Sequence, residues 1–319
     1  MNSTAAGPTA TETAAAAPES TAYSRDFGTG LLRTRVTGGT EGDGDGYTWV
    51  RRPGPQAPAP FAGPVPDLNA LIAAGDGYRH VLWAPGTVTG DGAGRVYRVR
   101  GPESAAGRLL HHGPDDGLAD VLRGLGRALR ALHDTPVPPS AAGALQAAPR
   151  GLVRFTDWLA GRSPEPRAAY AESLLRPRLG EVRMAALHEL CERIAADGDR
   201  VLCHGAPALG SLVPVEGTSP GSADMLIGED VCLAPWYLDL GWTLGELVEL
   251  KWYRGDSGPA WPRLLSALFE GYGRDLGDTW PRLAALRVLL HLHDYTAYVG
   301  WDEKNFEKYT GFVMFLLDL

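Results

Sequence analysis

Lysine is nearly absent from this chain. Lys251, Lys304 and Lys308 are the only three among 30 basic residues, so the first 250 positions hold none. Any chemistry that needs a cationic side chain there must use arginine, which keeps the charge but differs in reach and shape. Cysteine is scarce too: Cys191, Cys203 and Cys232 are odd in number, widely spaced and set in apolar context. They exclude a disulfide framework or a cysteine metal cluster and read as buried thiols of a reducing cytoplasm. No apolar run approaches the roughly 18 residues of a membrane span, and no leader pattern opens the chain. A basic surplus is also missing. With a net charge of −8, the clustered positive charge that nucleic-acid binding requires is not expected.

What is present suits a large core: 319 residues, 44% hydrophobic, with 41 Gly and 25 Pro in the Ala- and Arg-rich usage expected of a GC-rich, actinobacterial genome. Residues 1–23 are Ala, Thr, Ser and Pro with little to bury, and read as a disordered tail. From 24 to 101 the pattern is that of a small β-rich lobe. Leu31 to Val36 and Tyr47 to Arg52 flank a Gly-rich turn whose Glu41, Asp43 and Asp45 would repel phosphate. Val81 to Val88 and Arg95 to Arg100 are expected to pair across Gly90-Asp91-Gly92. A short helix is expected at Asp67 to Ala74.

Residues 102–319 read as helical. Leu118, Val121, Leu122, Leu125, Leu129 and Leu132 recur at three and four, which predicts one amphipathic helix over Gly117 to His133. Further helices are expected at Leu152 to Ala160, Arg167 to Leu175, Arg183 to Ala196, Trp242 to Tyr253, Trp261 to Tyr272, Pro281 to Tyr298 and Glu303 to Leu317. His291, His293 and Asp294 share one of these. On a helix the two imidazoles point about 200° apart, which argues against a metal site.

The centre of the chain is VLCHGAPALGSLVPV, a turn cluster from Gly217 to Ser222, then ADMLIGEDVCLAPWYLDLGW. This reads as strand, turn, strand and a helix opening near Leu240. The pattern resembles the aminoglycoside phosphotransferase and choline kinase branch of the protein kinase-like fold. It implies an α+β, bilobal architecture with an abbreviated β-rich N-lobe and a helical C-lobe. In that family the first motif is His-Gly-Asp with an Asn five residues on, and a second Asp ends the next strand. Laid on this chain, His204 and Gly205 are kept, but the first Asp position is Ala206, the Asn position is Ser211 and the second Asp position is Gly228. Asp239, in the Tyr-Leu-Asp-Leu that follows, would hold the loop by accepting backbone hydrogen bonds, with His204 as packing.

Kinase-type transfer uses the first Asp to accept the substrate proton, and the Asn and second Asp to hold metal ions. Losing a general base alone costs roughly 10²- to 10⁴-fold. The family's strand lysine is also missing. Arg51 or Arg52 takes its place in one register and Arg98 in another, and the register with Val96 to Arg100 as last strand of the lobe is preferred here, followed by a hinge at Gly101-Pro102.

In the resembling family the last third lines the acceptor site. Trp236, Trp242, Glu246, Glu249, Trp252 and Asp302 are therefore the candidate substrate- or partner-binding residues. The expectation is a pseudokinase that binds a peptide or a protein partner, with no bound cofactor and no catalytic residue. The chain also resembles, loosely, the kinase-like subunits of thioamitide and class V lanthipeptide pathways. That implies a precursor peptide and a lyase-like partner in Ser/Thr dehydration. One alternative is an active transferase in which Glu229 or Asp230, beside Asp224, binds Mg²⁺ and ATP, with Arg98 on the nucleotide. Another is a small-molecule binding or resistance protein that uses the acidic lobe.

Overall fold

The computed structural model describes residues 23–38, 46–73, 80–218, 220–255 and 258–319. The N-terminal tail apart from Tyr23, the acidic stretch 39–45 of the Gly-rich turn and the expected helix stop at Gly75 lie outside the described residues.

Five strands form an antiparallel sheet in the order β1-β2-β3-β6-β5. They are β1 (Ser24–Gly28), β2 (Leu32–Gly38), β3 (Tyr47–Pro53), β5 (Thr87–Val88) and β6 (Arg95–Val99). Side chains alternate between faces, so β2 buries Thr34 and Val36, β3 buries Trp49 and Arg51, and β6 buries Arg95, Tyr97 and Val99. All seven lie on one face. Register places Val36, Trp49 and Tyr97 in one row and Thr34, Arg51 and Arg95 in the next.

The expected pairing of Val81 to Val88 with Arg95 to Arg100 holds only at its end, where Thr87 and Val88 pair with Val96 and Arg95. The apolar half, β4 (Val81–Pro85), leaves the sheet and runs parallel to β9 (Ser222–Ile227), which also pairs with β8 (Leu212–Val215). Packing decides this: Val81 is 2% exposed in the C-terminal core and abuts Gly124 of α3 (Asp116–His133). The central stretch is therefore not one hairpin. β7 (Arg200–Cys203) pairs instead with β10 (Cys232–Pro235), so the segment holds four strands.

The C-lobe follows the apolar periodicities. α3 is capped by Asp115, which accepts from Leu118 N. α5 (Arg150–Leu159), α8 (Ala260–Tyr272), α9 (Trp280–Tyr298) and α10 (Glu303–Leu317) match expectation within two residues. α6 (Pro166–Ala196) joins two expected helices, with Gly180 left in a non-helical conformation between them. α7 (Tyr237–Arg254) opens earlier than expected, which puts Asp239 in its first turn. α1 (Leu68–Ala73) opens one residue later than expected, and α2 (Ala105–His111) and α4 (Pro139–Ala142) stand outside the expected helices. The three cysteines are buried and unlinked. No described helix is long and apolar enough to cross a membrane.

The lobes meet through a dry layer. Val36, Trp49, Tyr97 and Val99 of the sheet pack against Ala84, Val213 and Leu226 from β4, β8 and β9. Trp49 donates its indole N–H to Gly101 O at 3.2 Å. Asp224, 5% exposed, accepts from Arg100 N at 2.7 Å and grips the Arg100 guanidinium at 2.7 and 3.0 Å. It is thus a tie between lobes, not a group beside the cleft.

Gly205, with φ of 89°, is the tightest point of the loop after β7. A Cβ there would fall 1.9 Å from Asp230 O, whereas one on Gly210 would meet nothing within 4 Å. Gly205→Ala should lower unfolding free energy by about 3 kcal/mol or more, through strain and overpacking. Gly210→Ala should change it by less than about 1 kcal/mol. Urea denaturation of the two variants checks the contrast.

Candidate functional site

The site is built on a buried carboxylate. Asp239, fully buried, accepts from His204 N at 2.7 Å and Gly205 N at 2.9 Å, and lies 3.0 Å from His133 Nε2. His133 also meets Tyr272 Oη at 2.9 Å. Fixing the two backbone amides sets the direction of the loop. His204 is buried, with Ala206 N donating to its Nδ1 at 3.3 Å and its Nε2 2.7 Å from Leu226 O. That pattern needs the proton on Nε2. Burial lowers the His204 pKa, which keeps the ring neutral.

Beyond this loop a cavity of about 710 Å³ opens between the sheet, the loop and helices α5, α7, α9 and α10. Ala206 and Ser211 line its upper end. Gly228 sits nearby at the end of β9 with φ of 124°, a conformation that disfavours any side chain.

Guanidinium groups stand beside Ser211, Glu229 and Asp230. Arg51 donates to Ser211 Oγ and Gly210 O, both at 2.8 Å, and reaches Glu229 Oε1 at 3.4 Å. Tyr97 donates its hydroxyl to the same Glu229 oxygen at 2.8 Å. Burial, together with Glu229, raises the Tyr97 pKa. Arg150 grips Asp230 bidentately at 2.7 and 2.8 Å. Burial alone would raise the Asp230 pKa, but the Arg150 hydrogen bonds and charge hold it below the usual value.

The lower end repeats the pairing. Arg154 meets Asp294 at 2.8 and 3.2 Å. Burial opposes ionisation of Asp294, yet Arg154 and His293 bring its pKa down to about 2. Arg287 pairs with Glu246, and His291 with Glu249. Tyr309 donates to Glu249 at 2.8 Å. His291 and His293 thus serve different carboxylates, each at hydrogen-bond distance.

Of the candidates named from sequence, the structure gathers His204, Ala206, Ser211, Glu229, Asp230, Trp242, Glu246 and Glu249 around this one cavity. Trp236 is elsewhere, stacked on Tyr272 at 5.4 Å beneath Arg274. Trp252 stacks on Phe312 at 4.5 Å, and Asp302 caps α10 through Asn305 N at 2.9 Å. Arg98 is exposed on the outer sheet face and bonds Thr48. Arg51 occupies the inner position because β3 turns it, with Trp49, to the buried face of the sheet, and Arg51 reaches the cavity there. Arg150, Arg154 and Arg287 were not anticipated. A helical stripe of Arg287, His291 and Asp294 inside an apolar helix is the signal that could have disclosed one wall.

No protein-family model matches the sequence, and no curated protein matches it. Solved structures do match in shape. An amicoumacin kinase, hAmiN, solved with AMP-PNP, Ca²⁺ and Ami, has a TM-score of 0.57 at 13% identity, over 92% of this chain and 88% of that one. A microcompartment-associated aminopropanol kinase has 0.54 at 17%, over 94% and 91%. The Plasmodium vivax ethanolamine kinase Pv091845 has 0.53 at 11%, over 95% and 83%. The sheet, the His204 loop held by Asp239 and the helical lobe accordingly give this chain the bilobal protein kinase-like fold of the aminoglycoside phosphotransferases and choline kinase-type enzymes.

Proposed function

We propose that this protein works by binding, as a catalytically degenerate kinase-fold subunit whose cleft receives a peptide segment. The observation that carries the reading is the pairing of Glu229 with Arg51 and of Asp230 with Arg150. Kinase-type phosphoryl transfer needs a carboxylate base and acidic or amide metal ligands. Ala206, Ser211 and Gly228 supply neither. The two carboxylates alongside already satisfy guanidinium groups that are 7% and 14% exposed. A divalent cation could take them only by separating each carboxylate from the guanidinium that balances its charge, which costs up to about 3–5 kcal/mol for a buried pair. The residues present do not fit a magnesium–nucleotide pair. The dry layer between the lobes supports the same conclusion. A planar base wedged there would have to displace Trp49, which is 1% exposed.

The solved neighbours are named for small-molecule acceptors, several of them amines. A free acidic groove would suit such cations, but here Glu246, Glu249 and Asp294 are matched by Arg287, His291 and Arg154. The pairing favours a peptide over a cationic drug. A lyase-like partner joins the proposal through the resemblance to lanthipeptide subunits alone. The competing reading, an active transferase using Glu229 or Asp230, rests on both residues lining the cavity.

Thermal unfolding in millimolar ATP, with and without Mg²⁺, is expected to match the ligand-free curve, with no ATP turnover above buffer. A Mg²⁺-dependent stabilisation abolished by Glu229→Ala or Asp230→Ala would establish the active transferase instead. Ala206→Asp, alone or with Gly228→Asp, is expected to create no phosphoryl transfer, and the double variant should unfold at lower urea because of the strained backbone at 228. Robust transfer by either variant would refute the proposal.

A further inference from the structure

Histidine can offer a ligand a lone pair or a proton, depending on pH. Two histidines line the cavity, His204 and His291. His204 is closed, with both ring nitrogens engaged around the loop. On α9, His293 is closed as well: it is buried, bonded to Asp294 and packed on Trp158 at 5.2 Å. His291 is open. Its side chain is 44% exposed, and its Nδ1 is taken by Glu249. The exposed share therefore falls on the far edge of the ring, which carries Nε2. Among the described residues, the hydrogen bonding of His291 is to Glu249 alone.

The protons around Glu249 decide what that edge presents. Burial opposes ionisation of Glu249, which is 5% exposed, yet His291, Arg287 and the Tyr309 hydroxyl hold its pKa below the ordinary value. Burial and Glu249 push the Tyr309 pKa up, so that hydroxyl keeps its proton and donates it to Glu249 Oε1 at 2.8 Å. The carboxylate has no proton to give, and the hydrogen between Glu249 and His291 belongs to Nδ1. A neutral ring fixed in this way turns its Nε2 lone pair to the cavity. The surroundings then select the donor. Glu246 on α7 already accepts from Leu209 N and Arg287, and Asp294 on α9 is gripped by Arg154 of α5. A cation would have to draw a carboxylate away from these donors, and an anion meets three carboxylates against two guanidinium groups. Burying an unpaired charge is far costlier than burying a hydrogen-bonded neutral group. Tyr253 of α7 and Tyr295 of α9 are the other titratable groups lining this end. An alcohol donates and accepts through one atom, which suits a wall that also carries phenol hydroxyls.

We infer that His291 Nε2 is the contact of the cleft for an alcohol hydroxyl on an uncharged ligand, with Glu249 and Tyr309 as its positioning residues. This deepens the binding reading above and rests on it. The hydroxyl can come from a peptide side chain or from a small alcohol. Protonating the ring turns Nε2 into a donor, so binding falls as pH is lowered through the titration of His291.

The test uses the full chain labelled with ¹⁵N. The His291 ring nitrogens are assigned by their loss in His291→Asn, which keeps a donor for Glu249 and removes Nε2. The probes are N-acetylserinamide, propan-2-ol, N-acetylalaninamide, sodium acetate and methylammonium chloride. The serine amide and the alcohol are expected to move the Nε2 resonance, with the other three leaving it in place. His291→Asn should weaken binding of the serine amide about fivefold, as for one neutral hydrogen bond. Glu249→Gln should shift the ring nitrogens toward the other tautomer, which loss of a merely structural Glu249 would not do. A serine amide that binds more tightly than propan-2-ol assigns the contact to a peptide side chain; equal affinity assigns it to a small alcohol. Equal movement with the alanine amide, acetate or methylammonium overturns the contact. So does an unmoved Nε2 with every probe up to the solubility of the serine amide, or an affinity that stays constant across the titration of the ring. Failure here leaves the degenerate reading standing if Mg²⁺-ATP is also inert, whereas Mg²⁺-ATP binding beside an intact hydroxyl response would sink that reading and keep the contact.

Discussion

Asp239 accepts from two successive backbone amides and lies against His133 in a space without water access. A buried carboxylate is tolerated only when its oxygens are satisfied, so the loop and the start of α7 hold each other in place. Everything around the cleft inherits that anchoring. His204 can reach Leu226 O only because its backbone is fixed, and Gly205 can pass Asp230 O only because it lacks a Cβ. The residues that hold the loop are separable from those that face the cavity: His204, Gly205 and Asp239 fix the backbone, while Ala206 and Ser211 border the space beyond it.

The carboxylates of the cleft are paired from within the protein. An enzyme that handles Mg²⁺-ATP keeps carboxylates free for cations supplied from solution. In this chain the cations are covalently part of the protein: four carboxylates are matched by guanidinium groups, and a fifth, Glu249, is hydrogen-bonded to His291. Such pairs are weak contributors to stability against a hydrophobic alternative. They are strong determinants of what can enter, because any charged newcomer must break one.

Much of the fold could be read from residue order. The leucine spacing of α3 and the Gly-punctuated strands are local signals. The agreement at Glu303–Leu317, end for end, follows from Asp302 acting as its cap. The departure of β4 from its neighbour was not legible, because Val81 pairs with Ala223, 142 positions away. The same limit governs the site. The missing Asp, Asn and Asp were visible as Ala206, Ser211 and Gly228, but nothing local showed that Arg51 and Arg150 would arrive beside them from distant elements. Among aromatics, Trp236, Trp242 and Trp252 look alike in sequence, and only Trp242 faces the cavity. Helical phase separates it from Trp252: Trp242, Glu246 and Glu249 recur at four and three, while Trp252 turns toward Phe312.

The indole of Trp49 bridges the sheet to the connecting segment through Gly101 O, beside the Arg100–Asp224 grip. Two-lobed proteins that clamp a guest usually do so by rocking about their connector. Here the connector is riveted at two adjacent points and the seam behind it is filled, so the jaws have little angular freedom. For the peptide proposed above, admission would then fall to the rim, where Leu110 and Tyr253 are exposed at 42% and 66%. Its entry would be governed by side-chain rotation at that rim, on the nanosecond scale, as through a doorway whose frame stays put.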